Sequence, residues 1–365
     1  MADYKSLVWD GLLELSAYVP GKPVKELQRE LGIEKVVKLA SNENPYGASP
    51  KAVAALKEYE KEITRYPIGD SFYLRQAIAE FHNVDIDNIV CGAGSDEIIQ
   101  LLYMAFLSSD THALAPSPSF SEYELLARGL KSSCRWVETN SDFSINFDNI
   151  LNAVNDKTRF IMLANPNNPT GTLFGEKAFT DFMDKLSPNV LVVLDEAYIE
   201  FAEGDYPNVF ALMKKYNNLM TMRTFSKAYG LASIRCGYLV ADKECISLIN
   251  RIRPPFNVNS AAQIVCAEAI KDQEHIQKVA ALNKAGKEYI YKEVTAMGLE
   301  YVKTDTNFML IKTGDGKKVF DDLLKKGVIA RFLGGNRLKE YIRVSIGTDE
   351  ENKIFIRALK KVLNK

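Results

Sequence analysis

The sequence predicts an α/β fold: a large three-layer domain with helices on both faces of a mostly parallel sheet, followed by a smaller α+β domain. Three observations predict it. From about residue 88 to residue 240, short apolar runs alternate with amphipathic stretches, the rhythm of repeated strand-helix units whose strands are covered on both faces. The chain has 365 residues, more than the roughly 250 to 300 at which a single core stops growing. Beyond Gly298 the texture changes to short strands mixed with helices.

In chain order, residues 1–45 precede the first strand-helix unit, and the large domain is expected over 46–275. A strand at 89–91 feeds a helix at 96–107, with further strands at 113–115, 160–164, 190–194, 219–221 and 237–241. Pro254-Pro255 breaks the chain, after which 260–270 and 276–297 carry helical periodicity. The second of these helices is long enough to bridge domains and opens the small domain, 276–365. There, strands at 300–302, 308–311, 328–331 and 342–346 are mixed with helices at 317–326 and 350–364. No internal repeat or low-complexity tract is visible.

Composition excludes several functions. Lys+Arg number 46 and Asp+Glu 47, a net charge of -1 spread along the whole chain, so no basic stripe suggests nucleic acid and no cationic patch suggests a membrane surface. Small-molecule chemistry remains. The five cysteines, Cys91, Cys134, Cys236, Cys245 and Cys266, are scattered and odd in number, as expected of buried thiols in a reducing cytosol. The start of the chain carries Asp3, Asp10 and Glu14, unlike a signal peptide, and no apolar run approaches the roughly 20 residues of a membrane span. A soluble, cytoplasmic protein is expected. His82, His112 and His275 each stand apart from any cluster with ligand spacing, so neither a metal centre nor a histidine-based triad is expected.

The chemistry-bearing residues close the apolar runs. Asp195, Glu196, Ala197 and Tyr198 end the run at 190–194, and Thr224, Ser226, Lys227 and Arg235 follow on a glycine-punctuated turn. Pyridoxal 5′-phosphate needs that set: a carboxylate for its ring nitrogen, a phenol for its ring oxygen, an amine for its aldehyde, and hydroxyls with an arginine for its phosphate. Asn165-Pro166-Asn167-Asn168-Pro169-Thr170-Gly171 makes a rigid turn at a strand's C-terminal end, where open α/β sheets place their ligands. Gly92-Ala93-Gly94-Ser95-Asp96-Glu97 follows a strand and opens a helix, a geometry that can hold a phosphate on backbone N–H groups. Its third dinucleotide-binding glycine is replaced by Glu97, which argues against a nicotinamide oxidoreductase.

Together these segments resemble the fold-type I pyridoxal-phosphate aminotransferases. The resemblance implies that Asp195 meets the ring nitrogen, Asn168 and Tyr198 the ring oxygen, and Lys227 the aldehyde. It places Phe120, in Ser117-Pro118-Ser119-Phe120, on the ring face, and Ser95, Asp96, Thr224, Ser226 and Arg235 around the phosphate. It also implies a homodimer in which Tyr66 reaches the neighbouring subunit's phosphate, and an N-terminal arm over 1–45 that packs on the small domain. Residues 39–47, Arg331, and Arg343-Val344-Ser345-Ile346-Gly347-Thr348 are similar to the histidinol-phosphate aminotransferases in particular. In that group Arg343 would hold a substrate carboxylate, Arg331 and the arm residue Tyr18 a substrate phosphate, and Asn44 would lie at the substrate. The implied reaction moves an amino group between glutamate and imidazole acetol phosphate, giving histidinol phosphate and 2-oxoglutarate in histidine biosynthesis. An aromatic aminotransferase and a threonine-phosphate decarboxylase share most of these residues. A cofactor-sensing regulator would carry a basic helix-turn-helix segment that the short acidic arm lacks.

Overall fold

The computed structural model describes residues 2–15, 22–60 and 63–365. A two-residue strand, β1 (Val37–Lys38), precedes the main sheet. That sheet comprises β2 (Ile89–Gly92), β3 (His112–Ser117), β4 (Ser133–Glu138), β5 (Thr158–Ala164), β6 (Leu191–Asp195), β7 (Leu219–Thr224) and β8 (Gly237–Val240). Their order is β2-β8-β7-β6-β5-β3-β4. β4, β3, β5, β6 and β7 run parallel, and β8 is antiparallel to both of its neighbours.

Strand periodicity explains the three layers. Along β5, Phe160 and Met162 enter the cluster that holds Ile98, Leu102 and Tyr123, whereas Ile161 and Leu163 enter the one that holds Phe179 and Phe182. Successive side chains point to opposite faces, so a continuously apolar strand needs helices on both. The ladder register also gathers one edge of the sheet. Ala164 lies opposite Asp195, Gly237 opposite Thr224, and Gly92 opposite Gly237. The turns leaving β2, β5, β6 and β7 therefore meet at a single rim, the usual ligand side of such sheets.

A second sheet is antiparallel, ordered β11-β12-β9, from β9 (Phe308–Lys312), β11 (Arg331–Phe332) and β12 (Tyr341–Ser345), while β10 (Val328–Ile329) pairs in parallel with β1. The helices Gly316–Leu324 and Asp349–Leu363 cover it. The 24-residue helix Gln273–Ala296 buries Ile276 and Val279 in a core of the main sheet and Ile290 and Val294 in the core of the second. At about 1.5 Å per residue it is some 36 Å long, enough to join the two.

Three local expectations change. The run at 328–331 is two strands, because the chain switches partner at Ala330: β10 bonds to β1 and β11 to β12. The run at 300–302 reduces to a bridge of Tyr301 to Ile311 flanked by two backbone hydrogen bonds. β4 escaped sequence detection because it is a half-exposed edge strand, with Arg135 and Glu138 turned to solvent. The arm is divided as well. Leu27 and Ala40 pack with Ile329 beside the second sheet, but Glu14 accepts a hydrogen bond from Arg128 Nη2 at 3.2 Å, on a helix of the main sheet.

Candidate active site

At the shared rim lies a cavity of about 400 Å³ whose wall includes Ser95, Asp96, Phe120, Asn168, Asp195, Tyr198, Thr224, Ser226, Lys227, Arg235, Arg331 and Arg343. Local sequence explains one corner first. β2 ends in Gly92-Ala93-Gly94, and Gly94 adopts φ 87° to cap the helix Ser95–Phe106. The positive φ of Gly94 and the 2.7 Å approach of a Cβ on Gly237 to the Ser95 nitrogen require glycine at both positions, and a Cβ on Gly94 would also displace Arg235 Nη2, 2.4 Å away. Arg235 Nη1 donates to Ser226 Oγ at 3.4 Å and Nη2 to Asp96 Oδ2 at 3.3 Å. Thr224 Oγ1 accepts from the Ser226 N–H at 3.1 Å. A helix N-terminus, two hydroxyls and a guanidinium thus converge, a donor set suited to a phosphate.

Asp195 ends β6 and is 5 % exposed. Its Oδ2 accepts from the Tyr123 hydroxyl at 2.7 Å and its Oδ1 from the Ala197 N–H at 3.1 Å. Burial pushes this carboxyl up to about 6, against the opposing pull of those two hydrogen bonds. Phe120 meets Tyr123 edge-on, with centroids 5.6 Å apart. Lys227 Nζ stands 5.6 Å from the Tyr198 ring centre and donates to the Ser41 carbonyl at 3.3 Å.

The turn after β5 is held by more than its prolines. Asn165 exchanges two hydrogen bonds with Phe174, and Asn167 binds the Pro118 carbonyl, Ser119 and Thr170. Asn168 Oδ1 then accepts from Arg343 Nη1 at 2.7 Å, while Arg343 Nη2 donates to the Ala40 carbonyl at 2.9 Å. Arg331 lies directly across the ladder from Arg343. Cross-strand partners share a face, and like charges placed so close oppose each other.

One residue expected at the site lies elsewhere, and a second, expected to serve a neighbouring subunit, lies away from this chain's own cavity. Asn44 does not line the cavity; its side chain donates to the Ala228 and Gly47 carbonyls and accepts from the Tyr46 N–H, closing a turn. Tyr66 is 83 % exposed and stacks on Phe256 at 4.8 Å. It borders a separate cavity of about 510 Å³. Tyr18 falls outside the described residues.

The family pattern described as "Aminotransferase class I and II" matches residues 34–359. The chain belongs to that family. This aminotransferase is 42% identical over 357 residues to the histidinol-phosphate aminotransferase of Moorella thermoacetica, covering 97% of this chain and 92% of the other. It is 43% identical over 360 residues to histidinol-phosphate aminotransferase 2 of Carboxydothermus hydrogenoformans, covering 98% and 99%. Among solved structures, the histidinol-phosphate aminotransferase from Sinorhizobium meliloti, in complex with pyridoxal-5′-phosphate, shares its fold with a TM-score of 0.89 at 24% identity, over 98% of this chain and 97% of that one.

Three residues of this aminotransferase site were not singled out from the sequence. Tyr123, which orients Asp195, lies in an ordinary amphipathic helix, and nothing in its local pattern marks it. Asn42 donates to the Tyr198 hydroxyl at 3.0 Å while its own N–H and carbonyl are held by Ser345 and Asn307. Its φ of 55° is the available signal, since Asn tolerates the left-handed region that the tight segment before Pro45 requires. Glu97, where a dinucleotide site would have glycine, accepts from the Ala93 N–H at 2.6 Å and from Asn257 Nδ2 at 2.7 Å, bracing the glycine turn.

Proposed function

We propose that this aminotransferase uses pyridoxal 5′-phosphate to transfer an amino group between glutamate and imidazole acetol phosphate, giving histidinol phosphate and 2-oxoglutarate in histidine biosynthesis. The residues fit that cofactor: the Gly94 corner is a cradle that a Cβ would fill, and its donors suit a phosphate. When bound, the cofactor supplies an aldehyde for an amine and a protonated ring that draws electrons from the substrate carbon.

Asp195, oriented by Tyr123 and the Ala197 N–H, would hold a proton on the ring nitrogen. Tyr198, held by Asn42, and Asn168 would bear on the ring oxygen, and Phe120, also on the cavity wall, would cover the ring face. Ser95, Asp96, Thr224, Ser226 and Arg235 would hold the phosphate. Lys227 would hold the aldehyde through Nζ, and the same amine, when free, would serve as the base that takes the proton from the substrate carbon and as the acid that returns it.

The observation that carries the substrate assignment is the cross-strand pair Arg331 and Arg343, both on the cavity wall. Two opposed guanidiniums on one face suit a site that receives anions. Glutamate brings its α-carboxylate to Arg343, where a bidentate pair can form, and histidinol phosphate brings its phosphate to Arg331. The relatives named above support this choice. A homodimer is part of the same reading: Tyr66, Tyr73 and Ile264 leave large exposed apolar area around the second cavity, and Tyr66 serves the neighbouring site. Among the described residues no helix is long and apolar enough to cross a membrane. The free, mostly buried cysteines suit a reducing compartment, and on that ground we place the enzyme in the cytoplasm.

Incubation with histidinol phosphate and 2-oxoglutarate tests the reading. Stoichiometric glutamate is expected. Carbon dioxide release from threonine phosphate, with no glutamate formed, would instead favour a decarboxylase.

A further inference from the structure

We propose that Arg337 is a positioning residue that fastens the Arg331 segment across the mouth of the site and thereby sets the affinity for the phosphate-bearing substrate. The inference rests on the reading of Arg331 as the phosphate arginine.

The segment is anchored at its ends, by the pairing of β11 with β12 and by Leu338 in an apolar cluster, and turns between them. After the two residues of β11 the chain turns through Gly334 and Gly335, at φ 68° and 71°, into a single helical turn, Gly335–Leu338. A Cβ on Gly335 would meet nothing within 4 Å, so this side of the turn is open. Yet this stretch supplies Arg331, Phe332, Leu333 and Leu338 to the cavity wall. Its fastening comes from Arg337, which crosses from the second sheet to the ends of β3 and β4. Arg337 Nη1 shares its protons among Thr139 Oγ1 at 2.7 Å, the Ser117 carbonyl at 3.1 Å, Glu138 Oε2 at 3.1 Å and the Thr139 carbonyl at 3.4 Å; Nη2 donates to the Asn140 carbonyl at 2.7 Å. The guanidinium also lies 4.8 Å from the centre of the Phe143 ring. Phe143 in turn packs in one apolar cluster with Leu338 and Leu310.

A planar guanidinium with five donors can serve such scattered acceptors, and an ammonium cannot. The acceptors are also informative by position. Ser117 immediately precedes Pro118, Ser119 and Phe120, all on the cavity wall. One side chain therefore ties the wall contributed by β11 to the wall contributed by β3. Ordering a segment before the ligand arrives removes that entropic cost from binding.

The test uses the cofactor-loaded enzyme with Arg337→Ala, Arg337→Lys and Thr139→Val. Arg337→Ala should raise the KM for histidinol phosphate by about tenfold or more, corresponding to about 1.4 kcal/mol. Its kcat and its glutamate half-reaction should change by less than about twofold, the pattern of lost uniform binding. Arg337→Lys should restore only part of the loss, and Thr139→Val should show a smaller effect of the same sign. Independently of any substrate, amide hydrogen exchange over 331–338 should accelerate in Arg337→Ala while the melting temperature stays within a few degrees. Unchanged exchange would overturn the fastening role. Faster exchange with equal damage to both half-reactions would overturn the selective role. A wild type inert toward histidinol phosphate would remove the function proposed above and leave the exchange measurement to decide the fastening alone.

Discussion

Replacing Asp195 by Asn should make the cofactor-free protein more stable at neutral pH while crippling its chemistry. An ordinary aspartate titrates near 3.8, and burial holds Asp195 at about 6. Between those values the folded protein keeps a proton that the unfolded chain has released. The contribution of this group to stability is therefore fully present below 3.8 and is lost as pH rises through about 6. By pH 7 the loss amounts to roughly 3 kcal/mol, taking about 1.4 kcal/mol for each tenfold. Asn carries no charge at any of these pH values. It can accept from the Ala197 N–H and donate to the Tyr123 oxygen, so the packing survives, but the buried Tyr123 hydroxyl proton then loses its acceptor. A net gain of about 1 to 2 kcal/mol at pH 7 to 8 remains after that offset. Urea unfolding of cofactor-stripped wild type and Asp195→Asn from pH 4.5 to 8, a range of about 3.5 decades in proton activity, measures it. The gap should widen with pH up to about 7 and flatten beyond. Loading the cofactor should reverse the order, because binding stabilises the wild type more. A mutant less stable at pH 8, or a gap independent of pH, would refute the reasoning.

Lys227→Ala should lose the visible absorbance of the covalently held cofactor, and borohydride reduction of the wild type followed by peptide mapping should find the label on Lys227; a label on another lysine would reassign the amine. Gly94→Ala should weaken cofactor binding about tenfold or more, because the left-handed backbone and the clash with Arg235 together cost about 1 to 3 kcal/mol; an unchanged dissociation constant in a fluorescence titration would contradict the phosphate corner. Mixing Lys227→Ala with Tyr66→Phe chains should restore activity, since half of the sites in the mixed dimer carry neither change. Confirmed mixed dimers without recovery would place Tyr66 in its own subunit's site.

Much of the architecture is legible because strand burial leaves a plain mark. Runs such as Phe160 to Ala164 are apolar on both faces, and only a covered, mostly parallel sheet accommodates that. Asp195 and Lys227 were legible for a related reason: each interrupts or follows such a run with a charge that solvent does not explain. The edge strand β4 left no such mark, because half of its side chains face water. The partner switch at Ala330 depends on long-range pairing, which periodicity does not encode. Asn42 and Asn44 look alike in sequence, and the hydrogen bonds to Ser345 and Asn307 that decide between them come from residues some 265 to 303 positions away. Tyr123 and Arg337 were hidden likewise, since each acts through a contact with a distant element.

The central claim is that one site receives a phosphate and a carboxylate in turn through two opposed arginines. The direct measurement is a stopped-flow comparison of the two half-reactions, with histidinol phosphate and with glutamate, in the wild type, Arg331→Ala and Arg343→Ala, following the cofactor's visible band. The wild type should react with both donors. Arg331→Ala should lose affinity for histidinol phosphate far more than for glutamate, and Arg343→Ala should damage the glutamate half-reaction most. Equal impairment of both half-reactions by Arg331→Ala, or a wild type that does not react with histidinol phosphate, would contradict the account.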